Sequence, residues 1–585
     1  MNCCPSRAFR AAILALTALA AGCSSAPAPL DRSSGSATAE EWFTDRATEA
    51  GLDFVHFNGA SGGFYIPEVL GPGCALLDYD NDGDLDVFLP QGQMLGTGKT
   101  LADAVRPPPA AMRPGSRFYR NDLAVRADGT RALRFTDITN DSRIEVRGYP
   151  MGAAVADFDN DGCVDLYITS FSRNQLFHNN CHGTFTDVSK RAGLDAPGWA
   201  VSASFVDYDR DGWLDLYVGN YVNYPLDRPA TCHAASGETD YCTPQAFRPQ
   251  ADRLYRNQGN GTFADVTAKA LVGGRFGPAL GVVAADFNND GWTDIYVAND
   301  GEANQLWLNQ RNGTFKDVAL LAGAALSPEG KPKGSMGVDA GDVDNDGDED
   351  LFVTNLPDQG HDLYVNDGSG MFEDQSARSG LGPASLGYTG FGTAWIDYDN
   401  DGLLDLLAVN GAVSLKPSRP SHQYPYEERN SLFHNLGNRR FEDVTSRAGA
   451  VFGLFGMGRG ACFGDIDNDG DTDVLVTNNN GPVRLLINNV GNRQHWLGLR
   501  LVGDRTPRDM IGARVAVVRA DGQTLWRHAR SDGSYASAND PRVLVGLGAS
   551  KDPVRVRVTW PDGVTEEWAD TRVDGWMALK QGTGK

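Results

Sequence analysis

The sequence lacks the motifs of several common enzyme and nucleic-acid-binding classes. It contains no Gly-x-Ser-x-Gly elbow, no His-Glu-x-x-His pattern and no phosphate-binding loop, so none of these active sites is indicated. Basic residues are scarce, since 52 Lys and Arg stand against 76 Asp and Glu, and they form no stripe. This charge balance disfavours binding to nucleic acid.

The sequence also has little that could cross a membrane. An apolar run at 11–20 follows Arg7 and Arg10, but it is too short to span a bilayer. A basic start, a short apolar run and small residues before Cys23 predict an export signal over 1–22. The end of this run resembles a bacterial lipobox, which implies a lipid on Cys23, and Ser24 favours the outer membrane or cell surface. Residues 23–40 are rich in Ser, Ala and Pro and predict a flexible tether.

Against these absences stands one abundant feature, a nine-residue pattern that occurs seven times. It reads Asp-x-Asp/Asn-x-Asp-Gly-x-x-Asp, and the copies, numbered here as loops one to seven, start at Asp78, Asp157, Asp207, Asp286, Asp342, Asp397 and Asp465. Carboxylates at positions 1, 3, 5 and 9, a backbone carbonyl at position 7 and Gly at position 6 suit calcium, because Gly permits the sharp turn that makes the oxygens converge. Like charges about 4 Å apart repel by roughly 4 kcal/mol at an effective dielectric constant of 20, so a cation would relieve considerable repulsion.

The pattern therefore predicts up to one calcium ion in each loop. Loop four departs from it at position 3, where Asn288 keeps an oxygen but loses a charge. The alternative is a set of Asp/Gly turns without metal. The predicted ligands, including the position-7 residues that offer only a carbonyl in four loops, are Asp78, Asp80, Asp82, Asp84, Asp86, Asp157, Asp159, Asp161, Cys163, Asp165, Asp207, Asp209, Asp211, Trp213, Asp215, Asp286, Asn288, Asp290, Trp292, Asp294, Asp342, Asp344, Asp346, Asp348, Asp350, Asp397, Asp399, Asp401, Leu403, Asp405, Asp465, Asp467, Asp469, Asp471 and Asp473.

The loops join strands rather than helices. An EF-hand needs Glu at position 12, where this chain has apolar residues inside short β-type runs. Each repeat contains four such runs, which predicts an all-β fold, a seven-bladed propeller over 41–490. The seventh repeat lacks the Phe-x-Asp run that ends the others, and an extra copy begins at Phe43. Residues 41–51 are therefore predicted to supply the closing strand of blade seven.

The residues resemble a known family. The repeats are similar to the FG-GAP/VCBS calcium repeats of integrin-type propellers. Residues 511–514, 531–535, 546–548 and 560–563 resemble the ASPIC/UnbV domain. Together they resemble the bacterial relatives of cartilage acidic protein, which implies an extracellular calcium-bound propeller with an interaction role and no transferable catalytic residues. The change in composition near 493 predicts a small β domain, sandwich-like, over 493–585.

Cysteine usage indicates an oxidising compartment. Opposed strand positions predict a Cys163–Cys181 disulfide, and Cys232–Cys242 is predicted to staple an insertion. Cys74 and Cys462 precede loops one and seven at unequal offsets, which favours two buried thiols over a bond. No Cys/His spacing fits zinc.

Three large insertions, at 91–116, 221–251 and 411–429, fall on the propeller face opposite the acidic loops. Insertions of this kind commonly carry function, and aromatic side chains in them can stack on sugars or anchor proteins. The candidate ligand-face residues are Tyr221, Tyr224, Tyr241, Phe247, Arg248, Tyr424 and Tyr426. The alternative is that the tyrosines only pack their own loops.

These features predict an exported, lipid-anchored protein that binds a surface protein or a polysaccharide as an adhesion-type module. Its contact with the membrane would be through the lipid only. Two alternatives stay open: a polysaccharide lyase or hydrolase acting on the insertion face, and a structural component of the envelope. His178 and His182 lie on a strand, whose geometry does not gather them as a helix would, and structural roles are favoured for both.

Overall fold

The computed structural model describes residues 41–110, 115–227, 230–234, 236–415, 425–504 and 509–585. The predicted signal peptide, Cys23 and the tether lie outside them, as does Tyr424. Within residues 41–490 the strands form a propeller, so the predicted all-β fold is confirmed.

Across these described ranges, seven units of four antiparallel strands follow one another around a ring. In order from the inner to the outer strand they are Ala75–Leu77, Asp86–Leu89, Arg117–Asn121, Phe135–Asp137; Tyr149–Ala156, Asp165–Arg173, Gln175–Asn179, Phe185–Asp187; Pro197–Val206, Asp215–Asn220, Arg253–Asn257, Phe263–Asp265; Ala279–Ala285, Asp294–Asn299, Gln305–Asn309, Phe315–Asp317; Ser335–Gly341, Asp350–Asn355, Asp362–Asn366, Phe372–Asp374; Gly390–Ile396, Asp405–Asn410, Ser431–Asn435, Phe441–Asp443; and Gly458–Gly464, Asp473–Asn478, Arg484–Asn488, Phe43–Asp45. Inner and second strands are almost wholly buried because neighbouring blades pack on both of their faces.

The ring closes as the sequence predicts. Phe43–Asp45 pairs antiparallel with Arg484–Asn488, so the N-terminal segment supplies the outer strand of blade seven. The expectation of two free thiols at this seam is wrong. Cys74 and Cys462 form a disulfide with their Cα atoms 6.1 Å apart, because the inner strands of blades one and seven are neighbours in space. The two predicted pairs, Cys163–Cys181 and Cys232–Cys242, are also disulfides.

Short helices decorate the strands. Most of them follow an outer strand and turn the chain towards the next blade. The α-helices are Ala47–Ala50, Ile66–Leu70, Thr139–Ser142, Ser189–Ala192, Thr267–Ala270, Ala319–Ala322, Ser376–Ser379 and Leu381–Ser385; the 3-10 turns are Leu101–Asp103, Pro244–Ala246, Thr445–Arg447, Ala450–Gly453 and Gly491–Arg493; and two small hairpins pair Ala124–Val125 with Arg131–Ala132 and Cys232–His233 with Thr239–Asp240.

The C-terminal region has two sheets that share one apolar core, which is the predicted sandwich-like arrangement. One sheet orders Val543–Gly548, His495–Val502 and Trp576–Lys580; the other orders Thr524–His528, Arg514–Val518, Val554–Thr559 and Thr565–Thr571. Arg514–Val518 and Val554–Thr559 pair in the middle of the second sheet and alternate apolar residues towards the shared core.

A loop of this C-terminal domain fills the propeller channel, which the sequence did not predict. Residues 531–540, here called the channel segment, hydrogen-bond to the inner strand of every blade. The contacts, one from each of blades one to seven, are Leu76 N–H to the Ala538 carbonyl, Ala153 N–H to the Ala536 carbonyl, Ala536 N–H to Ser202 Oγ, Ala284 N–H to the Asp532 carboxylate, Val338 N–H to the Ser534 carbonyl, Thr393 N–H to Ser534 Oγ and Asp540 N–H to the Phe463 carbonyl.

The channel segment fits closely because the inner strands carry small residues beside it. A Cβ atom on Gly152 would lie only 2.2 Å from the Ala536 carbonyl oxygen. At the tip of the segment, Tyr535 is fully buried, its hydroxyl donates to the Leu70 carbonyl at 3.1 Å, and its ring meets Phe391 edge-on at 4.8 Å. The propeller and the C-terminal domain therefore share a core rather than merely touching.

Candidate metal centres

Each acidic loop is anchored at both ends by its own carboxylates. In loop two, Asp157 accepts the N–H of Asp161 at 3.1 Å and that of Gly162 at 2.8 Å. The position-6 glycine has a positive φ in all seven loops, between 85° and 98°, which L-residues with side chains rarely adopt. Its N–H reaches the position-1 carboxylate in every loop, so the glycine is needed for both the turn and the bond.

The position-9 aspartates hold the loops to the sheet. Asp165 accepts the N–H of Phe158 at 3.1 Å with one oxygen and that of Asn179 at 2.7 Å with the other. The same pair of bonds, from position 2 and from the last residue of the third strand, recurs in all seven loops. Position 9 is thus a structural latch as well as a predicted ligand.

The position-3 aspartates have an oxygen that nothing in the protein satisfies. The Oδ1 atoms of Asp159, Asp209, Asp344, Asp399 and Asp467 are buried and without a hydrogen-bond partner. A buried acceptor left unpaired costs about 1–3 kcal/mol, so five repeats of the same defect indicate a ligand that the bare chain does not supply.

In four of these loops a basic side chain lies beside the other oxygen. Asp159 Oδ2 is 3.3 Å from His178 Nδ1, Asp209 Oδ2 is 2.6 Å from Arg256 Nε, Asp399 Oδ2 is 3.7 Å from His434 Nδ1, and Asp344 Oδ2 contacts Arg439. The base orients the carboxylate from outside and leaves Oδ1 turned to the loop interior. This is the arrangement of an outer partner that positions a metal ligand. His178 has the structural role favoured for it.

Burial makes these carboxyl groups reluctant to ionise. Desolvation, reinforced by neighbouring carboxylates, raises the pKa of Asp157, Asp207, Asp342 and Asp465 to about 7 each. The pKa of Asp165 is raised to about 8 by burial, although the His178 hydrogen bond opposes that rise. Oxygen atoms of Asp157, Asp159 and Asp165 lie within 4.8 Å of one another. Several converging carboxylates and two or more backbone oxygens per loop match the hard oxygen ligands that calcium prefers.

Asparagines that the sequence analysis did not single out link the loops around the ring. The last residue of each third strand is a buried Asn, and its amide donates to the position-2 carbonyl of the preceding loop. Asn257, for example, reaches the Phe158 carbonyl at 2.8 Å and its own loop's Leu214 carbonyl at 3.0 Å. Asn121 makes the same bond to Ile466 at 3.0 Å and so closes the circle from blade one to blade seven. The terminal Asn of runs such as 174–179 was the available signal.

The structure corrects the ligand-face prediction for Tyr221. This residue is 1% exposed, and its hydroxyl donates to Asp300 at 2.7 Å. Tyr224 and Phe247 are half-buried and pack with ring centroids 5.0 Å apart. The insertion folds across the channel mouth, so its aromatic rings join the core there instead of facing solvent. Arg248 is exposed.

Tyr241 and Tyr426 belong to a second cluster on the same face. Their ring centroids are 6.0 Å apart, and the Tyr426 hydroxyl donates to Asp240 at 3.0 Å. The Tyr241 hydroxyl lies 3.4 Å from Glu68 Oε2. Glu68 is fully buried, its Oε1 has no partner, and burial raises its pKa to about 8. Nothing in the local sequence distinguishes Glu68, because its burial arises from the distant insertion.

None of the described helices is both long and apolar enough to cross a membrane.

Comparison with known families agrees with the two-part architecture. The FG-GAP-like repeat model matches residues 157–218, 237–297, 286–353, 342–408 and 424–476, and the ASPIC and UnbV model matches 503–585. Cartilage acidic protein 1 is 31% identical in Mus musculus and 29% in Homo sapiens, each over 174 residues and 28% of this chain. These matches span about a quarter of the relatives, 26% and 25% of their lengths.

Solved structures with similar folds are more distant. A lectin from Agrocybe aegerita, described as recognising non-reducing terminal N-acetylglucosamine, is 16% identical with a TM-score of 0.35, covering 65% of this chain and 90% of the lectin. YCF48 bound to D1 peptide is 8% identical with a TM-score of 0.36, covering 72% of this chain and 92% of that one.

Proposed function

Because this chain belongs to the proteins that join FG-GAP-like repeats to a C-terminal ASPIC and UnbV domain, we propose that it is a calcium-stabilised interaction module held at the cell surface. The observation that carries the calcium part is the row of buried position-3 oxygens without partners. Calcium would supply the positive charge that the converging carboxylates lack.

The residues that would hold calcium are the predicted carboxylates at positions 1, 3 and 5 of each loop, with position 9 shared between the metal and the backbone. Loops two, three, five and six have a basic partner outside position 3, so the carboxylate is positioned before the ion arrives. In loop four Asn288 replaces that aspartate, and Arg311 pairs with Asp290 at 2.8 Å. We therefore expect loop four to bind most weakly.

The test is a thermal melt of the full exported chain in EDTA and again after calcium is added. A site held at a hundred times its dissociation constant stabilises the fold by about 2.7 kcal/mol, so several occupied sites should raise the midpoint by many degrees. Asp399→Asn should weaken calcium binding at loop six by isothermal titration. Asp128→Asn, an exposed aspartate outside the loops, is the matched control. Equal midpoints with and without calcium would rule the proposal out.

We place the partner surface on the insertion face. The C-terminal domain contacts the opposite face, where Arg542 donates to the Gly83 carbonyl at 3.1 Å and Trp576 to Asp465 at 3.0 Å. On the insertion face, Leu101 and Val105 are 58% and 70% exposed, which favours an apolar contact with a surface protein.

A matched pair of variants separates this surface from general stickiness. Leu101→Ser with Val105→Ser should weaken binding to a cell surface or to immobilised glycan, measured with the labelled chain. Leu320→Ser with Leu321→Ser removes equally exposed leucines from the helix after the outer strand of blade four and should not. Loss of binding in both pairs, or in neither, would contradict the assignment. Retention at the membrane should depend on lipid at Cys23, so Cys23→Ser should release the protein into the medium.

A further inference from the structure

The repeat symmetry breaks at one seam, between loops three and four. In five loops the position-4 asparagine donates its amide to the position-6 carbonyl of the next loop: Asn81 to Gly162, Asn160 to Gly212, Asn345 to Gly402, Asn400 to Gly470 and Asn468 to Gly83. Loop three has Arg210 at this position. In loop four the amide of Asn289 turns instead to Asp348 and the Gly368 carbonyl, the latter at 3.2 Å.

A cavity of about 400 Å³ lies at this seam, between blades three and four and the C-terminal domain. Its walls include the apolar side chains of Phe205, Ile511 and Pro561. It meets solvent beside Asn289 and Gly291, which are exposed. The volume is within the range of small-molecule sites, roughly 300–1,000 Å³.

Two arginines line the cavity without a carboxylate partner. Among the described residues, neither Arg210 nor Arg514 forms an ion pair. Arg210 lies over the Trp292 ring at 4.7 Å, and Arg514 lies over the Trp526 ring at 4.1 Å. Arg514 donates to Asn289 Oδ1 at 3.2 Å, and its Nε is buried without a partner. Stacking on a ring fixes the plane of each guanidinium, and a fixed plane suits recognition of an oxyanion.

Other buried polar groups at the cavity support the same chemistry. Trp560 is 1% exposed, and its indole Nε1 has no acceptor; Nη1 of Arg530 is likewise unpartnered. The acidic residues there are engaged elsewhere. Asp290 pairs with Arg311, and Asp532 accepts from Ser204 Oγ and from the Ala284 N–H at 2.9 Å. Asp207 and Asp286 are position-1 loop residues that accept glycine N–H groups.

We propose that this seam cavity is a binding site for a small oxyanion-bearing molecule of about monosaccharide size, a carboxylate or a sulfate ester, with Arg210 and Arg514 as its anchors. The apolar wall would pack against the uncharged body of the ligand, and the two guanidinium groups would donate to its oxygens. The site is separate from the insertion-face surface and does not depend on it.

The test is calorimetric titration of the full, calcium-saturated chain with sodium glucuronate and with sodium sulfate, with glucose as the neutral probe. Tryptophan fluorescence provides a second readout because Trp292 and Trp526 stack on the anchors. Saturation by both anions would identify the charge as the recognised feature, and saturation by glucuronate alone would identify a sugar acid. Glucose should give no saturation. Saturable glucose binding, or no saturation by either anion up to about 50 mM with the fold intact, would overturn the proposal.

Variants locate the binding. Arg514→Gln should weaken anion binding by roughly tenfold or more, since a charge-assisted hydrogen bond is lost. Arg210→Asn restores the residue that the other loops carry, so it should fold normally and also lose roughly tenfold or more. Arg126→Gln, at an exposed arginine far from the seam in sequence, is the control. Circular dichroism checks the fold of each variant. Unchanged affinity in both seam variants would refute the assignment.

Discussion

The channel segment should contribute directly to the stability of the propeller, and Tyr535 provides the sharpest test. Its ring is fully buried among the inner strands, and its hydroxyl satisfies the Leu70 carbonyl. Truncating a buried aromatic side chain to alanine costs about 3–5 kcal/mol. For a cooperative unit of this size, with an unfolding entropy of roughly 2 cal/mol/K per residue, that loss corresponds to about 3–5 °C in melting temperature.

The companion variant separates packing from hydrogen bonding. Tyr535→Phe keeps the ring and its edge-on contact with Phe391, and loses only the bond to Leu70. It should cost about 1 kcal/mol. Both variants are measured by scanning calorimetry in saturating calcium, so that loop occupancy does not differ between them. If Tyr535→Ala melts within a degree of Tyr535→Phe, the packing of the segment does not stabilise the ring and this reasoning fails.

Three further predictions concern the loops, the asparagine ring and the seam. Burial raises the pKa of loop carboxyls such as Asp157 to about 7 in the calcium-free fold, so their contribution to stability is complete below pH 4 and is lost as pH rises through about 6–8. The EDTA-treated chain should therefore melt lower at pH 8 than at pH 6, and the gain from calcium should be larger at pH 8; melts at both pH values that show the opposite order would contradict this. Asn257→Leu leaves two buried carbonyls unpaired and should destabilise the fold by about 2–5 kcal/mol in calorimetry, whereas Asn140→Leu at an exposed helix position should change it little. Replacing both Cys74 and Cys462 with alanine should cost about 2–5 kcal/mol, because the bond ties blades one and seven; an unchanged melt under non-reducing conditions would count against that role.

The repeating chemistry of the loops could be read from the sequence because it is local. Position-6 glycine, the carboxylate spacing and the short strands all lie within about twelve residues, and seven copies fix the period. The closing strand at Phe43 was predictable for the same reason, since a missing unit at one end matched an extra unit at the other. The pairing of Cys163 with Cys181 followed from hairpin register alone.

What the tertiary structure alone decided involves residues far apart in the chain. The Cys74–Cys462 bond, the burial of Tyr221 and the unpartnered state of Glu68 all depend on how separate blades and insertions meet. The channel segment is the clearest case. Residues 531–540 look like an ordinary polar loop in sequence, and they become core only because seven inner strands surround them. Local spacing determines a repeat and its ligands, whereas the filling of a channel depends on where distant backbones present their unpaired groups.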